Sequence, residues 1–122
     1  MATIELDQQR FGEVVTSPGI VFVDFWAEWC GPCRMFGPIF EEASNKDTDI
    51  IFAKVDTEKE QQLAGSLEIT SIPTLMAFRD GILLYNRAGA LPAAAFDELV
   101  QAVKNIDMDE VRAEIARGPA GE

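Results

Sequence analysis

The chain has 122 residues, 48% of them apolar, with two cysteines and no histidine, which is enough for one compact domain held by its own core rather than by cross-links or metals. Ten basic residues against 21 acidic ones give a formal charge of −11, a balance that repels nucleic acid and anionic membrane and attracts positively charged partners. The absence of histidine removes the usual general base of hydrolases and the commonest nitrogen ligand of metals, so acid and base work falls to carboxylates, lysine or thiols.

The opening MATIELDQQRF lacks the basic, apolar and small-residue regions of a secretory signal, and no apolar run approaches the roughly 20 residues of a membrane helix. A cytoplasmic location is expected. Thr3 to Leu6 reads as a short strand, and Asp7 then caps a helix with Phe11, Val14 and Val15 on one face, ended by Ser17, Pro18 and Gly19. IVFVDFW, residues 20 to 26, is almost continuously apolar, β-branched and aromatic, as a central strand buried on both faces should be. A helix follows from about Cys33 to Lys46, its Met35, Phe36, Ile39, Phe40 and Ala43 at helical spacing, with Pro38 inside it predicting a kink. IIFAKVD, residues 50 to 56, is the next strand; residues 58 to 67 form a weaker helix, and TLMAF, residues 74 to 78, another strand.

Asp80-Gly81 is a two-residue hairpin turn leading into ILLYNRA. Pro92 opens a helix whose stripe is Phe96, Leu99, Val100, Val103 and Ile106. The order β-α-β-α-β-α-β-β-α predicts an α/β sheet that ends in an antiparallel hairpin. In residues 107 to 122, Met108, Val111 and Ile115 repeat at helical spacing, acidic residues crowd the front and Arg112 and Arg117 the back, and Gly118-Pro119 stops the run. This segment is expected to be an added helix resting on the domain; docking to a partner is the other use open to it.

The two cysteines stand in WCGPC, as Cys30 and Cys33. A structural zinc site needs four ligands, and no second pair and no histidine completes it here. As a staple the pair closes a loop too short to restrain the unfolded chain by more than about 2 kcal/mol, and purely structural disulfides are uncommon in a reducing compartment. A working dithiol fits best. Cys30 at the junction of strand and helix meets free backbone N–H groups and the positive end of the dipole, which favour its thiolate and make it the nucleophile. Cys33, one turn on, falls within bridging distance and is expected to lie deeper and less exposed, as suits the resolving thiol. Gly31 and Pro32 carry no charge to stabilise the reduced thiolate strongly, so reduction of partners is the expected direction. Two other uses stay open: a binding module without redox turnover, and an oxidase or isomerase.

FVDFWAEWCGPC together with AKVD, SIPT and the GA of RAGALP closely resembles the thioredoxin family over about residues 3 to 106. The resemblance implies a thioredoxin fold, a central mixed sheet with helices on both faces and an additional C-terminal helix. Residues 1–106 would be the thioredoxin domain and residues 107–122 a helical extension of it. The implied activity is protein-disulfide reduction by dithiol-disulfide exchange, with no bound cofactor, and NADPH used only through a flavoprotein thioredoxin reductase.

The resemblance also assigns residues. Asp24, the only charge in IVFVDFW, corresponds to the acid that assists proton transfer at the buried cysteine, and burial should raise its pKa; the plainer alternative is a structural acid paired with Lys54. Lys54 matches the family lysine near that acid, in a role that is either tuning or structural. Pro73 matches the family's cis-proline, leaving the backbone of Ile72 for an extended substrate segment, where the residues alone allow an ordinary strand-entry proline. Trp29, Gly31, Pro32, Ile72, Pro73 and Gly89 match the docking surface for disulfide-containing proteins, while Trp26 is expected in the core. Ser71 and Arg34 depart from commoner family choices and bear on partner preference. A monomer with no nucleic-acid or membrane partner is expected.

Overall fold

The computed structural model describes residues 2–118. Its elements run β1 (Thr3–Glu5), α1 (Gln8–Val15), β2 (Ile20–Trp26), α2 (Gly31–Lys46), β3 (Ile51–Asp56), α3 (Gln61–Ser66), β4 (Thr74–Arg79), β5 (Ile82–Ala88), α4 (Ala93–Asn105) and α5 (Met108–Arg117). The five strands form one sheet in the order β1-β3-β2-β4-β5, with β1, β3 and β2 parallel and β4 and β5 antiparallel to their neighbours. β2 is thus the middle strand, paired on both edges and covered on both faces, which is why its sequence is apolar without alternation.

Helices pack on each face. Phe11 and Val15 of α1 and Leu63 of α3 bury against Val23, Phe25 and Val55. On the other face Phe36 and Phe40 of α2 and Phe96 and Val100 of α4 meet Phe22 and Phe52. Phe96 anchors that side, its ring centroid 5.2 Å from Phe36, 5.6 Å from Phe22 and 5.8 Å from Phe40. These apolar stripes supply most of the stabilisation, since helices of this length are marginal alone.

Several boundaries differ from the sequence reading, each for a local reason. α2 begins at Gly31 rather than Cys33, because Cys30 is the N-cap and Pro32 falls in the first turn, where its missing N–H costs nothing. α3 begins at Gln61 rather than residue 58: the Asp56 carboxylate accepts the Glu58 amide at 2.9 Å and holds the preceding residues in a turn. Pro92 is the N-cap of α4 and not its first helical residue, and β3 starts at Ile51. Asp7 caps α1 as its sequence suggests, accepting the Arg10 amide at 2.8 Å.

The β4-β5 hairpin turns on Asp80 (φ 52°) and Gly81 (φ 81°), the paired left-handed values of a type I′ turn. A bulge follows, Ala77 pairing with Tyr85 and Phe78 with Leu83. Arg79 closes the end of α4, its Nη1 donating to the carbonyls of Val103, Lys104 and Ile106 at 3.0 to 3.2 Å. α5 then starts under the Asp107 cap, buries Met108 and joins Arg112 to Asp80 at 3.1 Å. Gly118 is its C-cap; Pro119, also expected to stop it, lies outside the described residues. Arg79 pairs with Ile20 at the start of β2, so the hairpin and α5 occupy the end of the sheet opposite the cysteines.

Candidate active site at the junction of β2 and α2

β2 ends at Trp26, and the chain turns through Ala27, Glu28 and Trp29 before Cys30, whose amide donates to the Ala27 carbonyl at 3.2 Å. Cys30 takes extended backbone angles (φ −86°, ψ 113°) as the N-cap of α2. Its sulfur occupies the place of a capping oxygen: the Cys33 N–H donates to Cys30 Sγ at 3.2 Å. A negative charge on Cys30 Sγ would therefore face that N–H and the positive end of a 16-residue helix. The structure holds the oxidised form, with Cys30 and Cys33 joined by a disulfide and their Cα atoms 5.2 Å apart.

The expectation that Cys33 is the less exposed of the two needs correcting. Cys30 is 4% exposed and Cys33 5%. As N-cap, Cys30 is tucked against the loop before β4, its sulfur 3.6 Å from the Ile72 carbonyl oxygen, so burial does not separate the two thiols in the oxidised state. What separates them is the helix, which directs an N–H at Cys30 Sγ.

The Ile72-Pro73 peptide is cis. Pro73 is buried and its carbonyl accepts the Gly89 amide at 2.8 Å, tying the start of β4 to the end of β5. Gly89 has φ 109°, a value that suits glycine. Neither the amide nor the carbonyl of Ile72 makes a backbone–backbone hydrogen bond among the described residues. Gly31 and Pro32 are exposed beside the disulfide, and Trp29 is 64% exposed. Thr74 donates its hydroxyl to the Ser71 carbonyl, and Arg34 Nε donates to the Glu28 carbonyl at 3.1 Å. The docking candidates Trp29, Gly31, Pro32, Ile72, Pro73 and Gly89 thus come from three separate stretches of chain.

Asp24 is fully buried in the middle of β2, and neither carboxylate oxygen has a hydrogen-bond partner. Burial pushes its pKa up to about 7, with Lys54 opposing the shift and Glu5 adding to it. Asp24 and Lys54 are register partners on β2 and β3. They are not an ion pair: Lys54 Nζ instead lies over the Trp26 ring, 4.8 Å from its centroid.

Trp26, expected in the core, is only half-buried. It belongs to neither large core cluster but packs with Ala27, Cys30, Cys33 and Ile72, and its Nε1 is buried without an acceptor. Strand alternation from Asp24 would have put Trp26 on the α2 face, but nothing local says that this face ends at the sulfurs. Among the described residues no three His, Cys, Asp or Glu side chains gather as metal ligands. No helix of the described chain is long and apolar enough to cross a membrane.

The thioredoxin family model matches residues 2–112. The chain belongs to the thioredoxin family. A Streptomyces coelicolor protein carried as a candidate thioredoxin 2 is 44% identical over 119 residues, covering 98% of this chain and 89% of that one. The Bacillus subtilis thioredoxin is 40% identical over 101 residues, 82% of this chain and 96% of its own. Among solved structures, Malassezia sympodialis thioredoxin superposes with a TM-score of 0.73 at 32% identity, covering 83% of this chain and 93% of its own. The architecture is accordingly a thioredoxin fold, a mixed five-stranded sheet with helices on both faces. The chain is a thiol-disulfide oxidoreductase whose redox group is the Cys30-Cys33 disulfide, with no bound cofactor. Disulfide-bearing substrates and a reductase are the partners that the thioredoxin family implies in general.

Proposed function

We propose that Cys30 is the nucleophile, Cys33 the resolving cysteine and Asp24 the proton carrier of this thioredoxin's disulfide reduction. The observation that carries the assignment is the capping contact, in which the Cys33 amide donates to Cys30 Sγ at the N-terminus of α2. In the reduced protein that N–H and the helix dipole stabilise a thiolate at Cys30 and not at Cys33. The Cys30 thiolate attacks one sulfur of the substrate disulfide, forms a mixed disulfide and releases the first substrate thiolate. Asp24 then takes the proton from the Cys33 thiol. The Cys33 thiolate attacks Cys30 Sγ, closing the internal disulfide and releasing the second substrate thiolate. Two electrons pass from the dithiol to the substrate, whose two thiolates take up the two protons.

The partly apolar surface of Trp29, Gly31, Pro32, Ile72, Pro73 and Gly89 receives the substrate, and the unpaired backbone of Ile72 is available to an extended segment beside Cys30. Lys54 tunes Asp24. The protein works as a cytoplasmic monomer and is re-reduced by an NADPH-dependent thioredoxin reductase. Residues 1–106 carry the activity and residues 107–122 extend the domain.

The test is trapping. Cys33→Ser should accumulate mixed disulfides with substrate through Cys30, visible on non-reducing gels, while Cys30→Ser should abolish NADPH consumption in the coupled assay with thioredoxin reductase and a disulfide protein. Disulfide reduction that survives Cys30→Ser would reverse the two roles.

A further inference from the structure

β1, β3 and β2 bring Glu5, Lys54 and Asp24 to one register level, Glu5 pairing with Lys54 and Lys54 with Asp24. Register partners project to the same face of a sheet, here the face covered by α2. On that face Thr3, two residues before Glu5, donates its hydroxyl to Glu41 Oε1 of α2 at 2.9 Å. Glu41 lines the same cleft as Lys54, Trp26 and Cys33. Lys54 thus has the carboxylates of Glu5 and Asp24 as register partners on its two sides and that of Glu41 in the same cleft, and among the described residues it forms a salt bridge with none of them. Both oxygens of Asp24 and Oε2 of Glu41 are buried without a partner.

A lysine that sits among acids and pairs with none of them matters for the reaction. A lysine locked onto Asp24 would hold the carboxylate charged and make it a poor acceptor for a thiol proton. We propose that Glu5 and Glu41 are positioning residues that compete with Asp24 for the Lys54 ammonium and so keep Asp24 basic enough to take the proton of Cys33. This rests on the reading of Asp24 as proton carrier. The charged groups at the register level of Asp24 are Lys54 on β3 and Glu5 on β1 beyond it, and Lys54 also lines a cleft with Cys33, Glu41 and Arg34 of α2 and Glu28 of the preceding loop. Its β4 neighbour, Leu75, is apolar. Glu5 also acts on Asp24 directly, as a like charge that raises its pKa, whereas Glu41 works only through where Lys54 sits.

The experiment follows the side-chain carboxyl of Asp24 by carbon NMR through a pH titration of the oxidised protein, in which the cysteines do not titrate. Glutamine preserves the size and reach of each glutamate, including the acceptor for Thr3. Glu5→Gln and Glu41→Gln should each lower the Asp24 midpoint, by about half a pH unit or more, and Lys54→Met should raise it. In the Lys54→Met background the Glu41→Gln shift should vanish, while part of the Glu5→Gln shift persists. A midpoint unmoved by either glutamine overturns the proposal for that residue. A Glu41→Gln shift of equal size with and without Lys54 overturns the competition. If Asp24→Asn reduced substrates at the wild-type rate, the proton-carrier reading would fail, and the titration would still decide whether the glutamates compete for Lys54.

Discussion

Asp24 is buried with no donor to either oxygen, so its ionised form costs stability that its protonated form does not. The folded protein holds this proton up to about pH 7, whereas the ordinary carboxyl value is 3.8. Because the folded-state pKa lies above the unfolded one, the folded state binds the proton more tightly. The penalty is absent below about pH 4, grows as pH rises, and is complete above about pH 7. Its full size is on the order of 4 kcal/mol. Asp24→Asn, neutral at every pH, should therefore stabilise the oxidised protein by up to about that amount at pH 8 and by almost nothing at pH 4. Urea denaturation at the two pH values measures it, and an equal effect at both would show that the charge is not the cause. The importance of Asp24 was legible in the sequence, because a lone acid in an apolar strand has few uses. The position of Lys54 over Trp26 was not, since strand pairing brings the two residues together and the cleft decides where a long side chain rests.

At the scale of elements, the junction of β2 and α2 explains the cysteine chemistry better than exposure does. The helix expected from about Cys33 begins at Gly31, and Cys30, expected at or just before the helix N-terminus, is its N-cap and receives the Cys33 N–H at its sulfur. Sequence alone underestimates such a start because cysteine is an uncommon cap, while Ser, Thr, Asp and Asn are the usual ones. α5 shows the opposite case. Asp107 has the usual cap chemistry and accepts the amides of Asp109 and Glu110 at 3.0 and 3.2 Å. Asp107→Ala should cost about 1 kcal/mol in thermal unfolding and leave the rate of disulfide reduction unchanged, because α5 sits at the far end of the sheet. A reduced rate in the folded variant would tie α5 to the site. The Arg112 and Asp80 pair, exposed on both sides, adds little by comparison.

For the whole molecule, a formal charge of −11 on 122 residues sets up a field that draws cationic partners and repels anionic ones. Salt screens it over roughly 8 Å at physiological ionic strength. Reduction of a lysine-flanked disulfide peptide should therefore slow as salt rises, and reduction of the same peptide flanked by glutamate should quicken; stopped-flow traces of Trp29 and Trp26 fluorescence would follow both. Parallel responses would show that the field does not steer encounter. By itself the sequence determined the order of strands and helices, the Asp80-Gly81 turn and a dithiol at the start of a helix. Each depends on residues within a few positions of one another, where periodicity, turn chemistry and spacing act directly. Only the tertiary structure decided that the cis Ile72-Pro73 loop meets Cys30 across 42 residues of chain, that Trp26 lies beside the sulfurs, and that Lys54 stands among three carboxylates without pairing. Those relations arise from strand register and from how α2 settles on the sheet, and packing fixes them only when the whole chain has closed.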